Sequence, residues 1–219
     1  MRWTVLIALK GLPEAKSRLA AASPGPDEHG ALVAAIRTDT VAAAARADGV
    51  ARVVLVADRP GLLPVPSHVD GVSTVVQHSP GLNGALRDGA DLAAARWPDD
   101  GIVALVGDLP ALRPSDLGAV LAAAEHHERA YVVDAAGSGT TLLAAHPGAA
   151  LRPEFGPGSA ARHGVHAVAL AAADRLRCDV DTAEDLEAAL ALGVGPATAA
   201  LLGAHASTPC SSPSGIVAP

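Results

Sequence analysis

The chain is poor in lysine, aromatics and cysteine, and each shortage removes a class of function. Of 16 Lys and Arg residues only Lys10 and Lys16 are lysine, the pattern of a GC-biased genome that replaces Lys with Arg. Aromatics are 2% of the residues and the formal net charge is −7, with no basic stripe, so nucleic acid is not expected as a partner. Cys178 and Cys210 match no metal spacing and give no disulfide framework, which fits a reducing cytoplasm. No apolar run reaches the length of a membrane span, and Met1-Arg2-Trp3 enters a strand rather than a signal peptide. A Walker A loop, a G-x-G-x-x-G after the first strand and a G-x-S-x-G elbow are all missing.

What is present is an alternation of strand and helix. Continuous apolar runs at 5–9, 52–57 and 102–106 read as buried strands, with shorter ones at 73–76, 130–133, 140–145 and 168–170. Helical periodicity covers 28–47, 84–97, 114–128, a segment from Ala160, and 182–192, the last capped by Thr182 with Glu184 and Asp185 in its first turn. Such interleaving predicts one α/β domain over 1–206 with a mostly parallel, doubly wound sheet. The Ser/Pro-rich stretch 207–219 reads as a disordered tail.

Chemistry-bearing residues gather where these strands end, the place where ligands bind in such sheets. Both lysines lie in one loop after the first strand, where a compact point charge suits a phosphate and the alternative is a solvated basic loop. Asp108, in Gly107-Asp108-Leu109-Pro110, is either a turn residue or a site carboxylate. In Cys178-Asp179-Val180-Asp181-Thr182, extended backbone would put two carboxylates on one side about 6.5 to 7 Å apart. They would repel unless a cation lies between them or they cap the next helix; a cap explains Asp181 but not Asp179, which favours Mg²⁺. Gly137-Ser138-Gly139-Thr140-Thr141 and Phe155-Gly156-Pro157-Gly158-Ser159 offer backbone N–H groups and hydroxyls to an anion, or are ordinary turns. Asn83, in Pro80-Gly81-Leu82-Asn83-Gly84, reads a base edge or caps a helix. Glu125-His126-His127-Glu128 reads as a solvated helix end rather than a metal cluster, because adjacent helical residues do not share a face.

Taken in order, Lys10, Ala15-Lys16-Ser17-Arg18-Leu19, Gly81-Leu82-Asn83 and Gly107-Asp108-Leu109-Pro110-Ala111-Leu112 resemble the first half of the CofC/FbiD family. Gly137–Leu142, Phe155–Ala160 and Asp179–Leu186 resemble its second half, so the likeness spans residues 3–200. These are guanylyltransferases of coenzyme F-420 biosynthesis. The resemblance implies a nucleotidyltransferase (nucleotide-diphospho-sugar transferase) type fold, and transfer of GMP from GTP to a phosphorylated three-carbon acid. It implies Mg²⁺ on Asp108, Asp179 and Asp181, and acceptor binding by Thr141, Gly156 and Ser159. Lys10, Lys16, Arg18, Asn83 and Gly107 would meet the nucleotide, with Lys16 and Asp108 as the catalytic pair.

Actinobacterial members use phosphoenolpyruvate, and the composition prefers it to 2-phospho-L-lactate or 3-phosphoglycerate. The products would be enolpyruvyl-diphospho-5'-guanosine, passed to a following enzyme, and pyrophosphate. Ala8 stands where the family usually has Pro, and Ser138 where it more often has Thr. A molybdenum-cofactor or sugar-phosphate nucleotidyltransferase would carry a G-G-x-S-x-R-x-G type loop, which is absent. A non-catalytic binding domain is disfavoured because all three aspartates remain.

Overall fold

Side-chain alternation along the first strand assigns the layers. In the computed structural model, which describes residues 1–9, 19, 26–59 and 71–206, Trp3–Leu9 forms β1. Its Val5, Ile7 and Leu9 enter one apolar cluster while Leu6 enters another on the opposite face. A strand buried on both faces needs a helical layer on each side, and the chain supplies them in order. The elements are α1 (Pro26–Ala45), β2 (Val50–Ala57), β3 (Val72–Val76), α2 (Gly81–Arg96), β4 (Gly101–Leu105) and α3 (Pro114–Ala124). Then come β5 (Arg129–Val133), β6 (Thr140–Ala145), α4 (Ser159–His163), β7 (Val168–Ala169), α5 (Asp174–Arg177), α6 (Ala183–Leu192) and α7 (Pro196–Ala206). The first cluster joins the sheet to α1 and α3, through Val41, Leu117, Val120 and Leu121. The second joins it to α2 and α4, through Ala85, Leu86, Ala90 and Ala160.

Among the described residues the sheet has the order β3-β2-β1-β4-β6-β5-β7. Only β6 runs against its neighbours β4 and β5; the other pairings are parallel. The expected mostly parallel, doubly wound α/β fold is therefore present. Strand order reverses between β1 and β4, which places a crevice at their carboxyl ends. Because β6 is antiparallel, its first residues, Thr140 and Thr141, lie at that same edge, beside the hairpin that follows β5.

Two helices escape the hydrophobic periodicity. α5 is a single turn, and α7 is held from a distance: Asp39 of α1, itself buried, accepts from the N–H groups of Ala197 at 2.9 Å and Thr198 at 2.8 Å. α3 ends at Ala124 instead of 128, since the N–H groups of His126 and His127 bond to carbonyls three residues back, Ala123 and Ala124. Glu125–Glu128 is thus a turn, with Glu125 paired to the Met1 amine and Glu128 to Arg129. It lines a cavity of about 460 Å³ with His146 and Ala149 where β6 ends, at the opposite edge from the crevice. The expected tail, 207–219, lies outside the described residues.

Candidate active site

The crevice begins where β4 stops. Val106, Gly107 and Asp108 continue from Leu105, and Gly107 fits closely: a Cβ there would lie 3.1 Å from Ile7 and 3.4 Å from Leu9. That packing gives Gly107 a structural reason of its own beside the expected nucleotide contact. The turn is fixed from α1, where the Thr40 hydroxyl donates to the Ile36 carbonyl and accepts from the Leu109 N–H at 2.9 Å.

The second acidic segment is sewn to the first. Val180 N–H donates to the Asp108 carbonyl at 3.0 Å, with Val180 and Cys178 buried in a small cluster beside Leu19, Ile36 and Leu186. The segment between α5 and α6 is irregular rather than a strand. Thr182, not Asp181, is the N-cap of α6: its hydroxyl accepts from Asp185 N–H, and Asp185 answers by accepting from the Thr182 N–H. The Asp181 carboxylate is therefore not consumed as this cap. Burial, helped by the neighbouring charges of Asp108, Asp181 and Asp134, pushes the Asp179 carboxyl up to about 7. Negative charge is concentrated here.

This charge suits a divalent ion, whose field would favour the ionised form. Among the described residues no three acidic, His or Cys side chains close into a ready metal cage. Mg²⁺ does not require one, since it is commonly held by one or two carboxylates plus substrate phosphates. The donor chemistry of Asp108, Asp179 and Asp181 fits that mode.

Two loops are linked to this group, the hairpin of Asp134, whose charge acts on Asp179, and the loop before α4, which is bonded to that hairpin. Asp134 braces the hairpin after β5 by accepting from the N–H groups of Ser138 at 3.0 Å and Gly139 at 2.8 Å. Ser138 in turn accepts at its carbonyl from Ala160 N–H at 3.1 Å, joining the hairpin to the loop before α4. In that loop Gly156 and Gly158 have φ of 119° and 73°, the left-handed region that favours glycine. The Arg162 guanidinium collects its carbonyls, donating to Glu154 and Pro157 at 2.8 Å and to Gly156 at 3.4 Å. No hydrogen bond occupies the N–H of Gly156 or Gly158 among the described residues. Thr141 and Ser159 are buried, and their hydroxyl oxygens make no hydrogen bond among the described residues.

His163 pins the same loop from behind. Its Nε2 accepts from Glu154 N–H at 3.0 Å and its Nδ1 lies 2.9 Å from the Thr140 hydroxyl. An acceptor at Nε2 leaves the proton on Nδ1, so the ring is neutral. Burial, then the nearby His166, lowers its pKa to about 4.

Asn83 does not cap the helix, one of the two roles expected of it. The N-cap of α2 is Pro80, without a side-chain cap bond, and the Asn83 amide grips the backbone of Phe155 instead. Lys10, Lys16 and Arg18 fall outside the described residues. Sequence reasoning missed Asp134, whose charge reaches Asp179, and Arg37. The latter is a buried α1 guanidinium whose Nη1 has no hydrogen-bond partner among the described residues and which feels Asp108 and Asp58. Nothing in the sequence separates Arg37 from the other arginines. Asp134 carried a signal: an Asp before Ala-Ala-Gly-Ser-Gly is a turn-bracing position at a strand end.

Comparison with known proteins bears on the fold and the family. Among solved structures, a Desulfovibrio desulfuricans protein described as a nucleotide-diphospho-sugar transferase has a TM-score of 0.66 at 18% identity, covering 94% of this chain and 96% of that one. The Rv0371c protein of Mycobacterium tuberculosis, solved with manganese, has a TM-score of 0.52 at 20% identity over 87% of this chain and 98% of its own. At such identities the likeness is one of fold. A Thermomonospora curvata protein named phosphoenolpyruvate guanylyltransferase is 48% identical, covering 92% of this chain and 89% of its own length. A Streptomyces scabiei protein of the same name is 47% identical over 91% and 95%. The model of the family described as "Guanylyl transferase CofC like" matches residues 3–203, and the chain belongs to that family.

Proposed function

We propose that this chain transfers GMP from GTP to phosphoenolpyruvate, with Mg²⁺ as the metal, in coenzyme F-420 biosynthesis. The observation that carries the reading is a pair of unlike charge environments joined through the Asp134 hairpin. The Asp108–Asp179–Asp181 group concentrates negative charge on one side. On the other, a loop with its carbonyls drawn to Arg162 leaves the Gly156 and Gly158 N–H groups for an anion, near the buried hydroxyls of Thr141 and Ser159. The names of relatives near half identity supply the substrate.

The chemistry needs little more. A phosphate monoester, with a second pKa near about 6, is largely dianionic at neutral pH and attacks the α-phosphorus without a general base. One P–O bond forms to the acceptor phosphate and one breaks to release pyrophosphate. Mg²⁺, when bound, would neutralise phosphate charge and orient the leaving group. Asp108, Asp179 and Asp181 would hold it. Gly156, Ser159 and Thr141 would bind and orient the acceptor's carboxylate and phosphate. Lys16, with Lys10 and Arg18, would offset the triphosphate charge. The barrier between two anions is then met by positioning and neutralisation.

Incubation with GTP, Mg²⁺ and each of phosphoenolpyruvate, 2-phospho-L-lactate and 3-phosphoglycerate, following pyrophosphate, tests this directly. Release with phosphoenolpyruvate is expected. Release with another acceptor alone would change the substrate, and no release with any would overturn the activity.

A further inference from the structure

We propose that Asn83 is a positioning residue for the acceptor loop rather than a nucleotide contact, an inference that rests on the transfer reading above. The Asn83 Oδ1 accepts from the Phe155 N–H at 2.8 Å, and its Nδ2 donates to the Phe155 carbonyl at 3.0 Å. Two bonds to the two backbone groups of one residue fix the orientation of that residue as well as its distance. Phe155 directly precedes Gly156, whose φ is 119°.

The grip has a rigid base. The Asp88 carboxylate accepts from His78 N–H at 2.6 Å, Ser79 N–H at 2.7 Å and the Ser79 hydroxyl at 2.8 Å, tying the turn before α2 to the helix. Glycines let that helix seat closely: a Cβ on Gly84 would lie 3.0 Å from the Ser79 backbone, and one on Gly89 would lie 2.8 Å from Val56. The loop is held from its other side by His163, which accepts from Glu154 N–H. The N–H groups of Glu154 and Phe155 are both taken, and the next one, on Gly156, has no partner among the described residues. Asn83 and His163 thereby select which amides face an incoming anion. Neither needs to touch it.

Truncation should therefore loosen acceptor binding selectively. In Asn83→Ala the KM for phosphoenolpyruvate is expected to rise about tenfold while the KM for GTP stays within about twofold. The Phe155 amide should exchange with solvent faster, with β-strand amides unchanged. Should the alanine variant not fold, Asn83→Asp serves the same purpose. It keeps the acceptor for Phe155 N–H but sets a carboxylate oxygen against the Phe155 carbonyl, and the same KM split is expected. A raised KM for GTP with an unmoved acceptor KM would make Asn83 a nucleotide contact and overturn the proposal. Loss of thermal stability with both KM values unmoved would reduce it to packing, with the same result. If the wild-type protein releases no pyrophosphate with any of the three phospho-acids, the activity reading and this role fall together. An active wild type with an insensitive variant sinks only the role of Asn83.

Discussion

Val180 N–H donates to the carbonyl of Asp108 at 3.0 Å, so the aspartates flanking Val180 are registered against the aspartate that ends β4 by a backbone bond. Side-chain replacement leaves that bond in place. Asp108→Ala or Asp181→Ala is therefore expected to lower GMP transfer by more than about a hundredfold. Circular dichroism should be unchanged and the thermal midpoint close to wild type. Full activity in either variant would remove these residues from the metal-binding set.

Asp179 should behave differently in a stability experiment. It is half-buried, and its carboxyl is pushed up by burial and then by Asp108. An acid whose folded pKa lies above its unfolded value costs stability as pH rises from about 4 toward 7, because the folded state binds more protons over that window. Above 7 the penalty is constant. Asp179→Asn is expected to raise the thermal midpoint of the metal-free protein at pH 8 while abolishing transfer. A lower midpoint would show that the carboxylate is structurally satisfied.

The fold was legible because its signals are local. Val5–Leu9 and Ile102–Leu105 are apolar without interruption, and only strands covered on both faces read that way. Thr182 as the N-cap of α6 was also legible, with Asp181 as its competitor. What escaped depended on distant partners: α7 is organised by Asp39, over 150 residues away, and Asn83 is spent on a residue 72 positions later. No local pattern marks either. The glycines around Gly156 suggested an anion loop, but only the arrangement of Arg162, His163 and Asn83 around it explains why its N–H groups remain available.

The two lysines make a sequence-based prediction of their own. In a chain whose other basic residues are all arginine, Lys16 in Ala15-Lys16-Ser17-Arg18-Leu19 is expected to need a compact ammonium. Lys16→Arg keeps the charge and should still reduce kcat/KM for GTP about tenfold or more. An unchanged value would return this loop to the status of a solvated basic segment.

His163 sets a pH limit on stability. Its folded pKa is lowered to about 4 by burial and then His166, against about 6.5 unfolded, so the unfolded state binds the extra proton between those values. The contribution is fully present above about pH 6.5 and is lost as pH falls toward 4, amounting to roughly 3 kcal/mol. Urea midpoints at pH 7.5 and pH 5 should differ markedly in the wild type and less in His163→Gln. Equal differences in the two proteins would show that His163 is not the group responsible.

Thr141 separates binding from stability most cleanly. Its hydroxyl is fully buried on β6 with no hydrogen-bond partner among the described residues, and leaving such a group unsatisfied costs about 1–3 kcal/mol. Valine has nearly the same shape and removes the desolvated oxygen, while the Thr141 carbonyl that accepts from Val106 N–H at 3.0 Å belongs to the backbone and is retained. A residue kept only for packing would lose nothing by this change. Thr141→Val is therefore expected to unfold at a temperature a few degrees higher and to show a KM for phosphoenolpyruvate raised about tenfold, with the KM for GTP unmoved. Because the two effects run in opposite directions, general damage to the protein cannot mimic them. A stabilised variant with wild-type acceptor KM would remove the hydroxyl from the site, and a destabilised one would show that the hydroxyl has a partner within the folded chain.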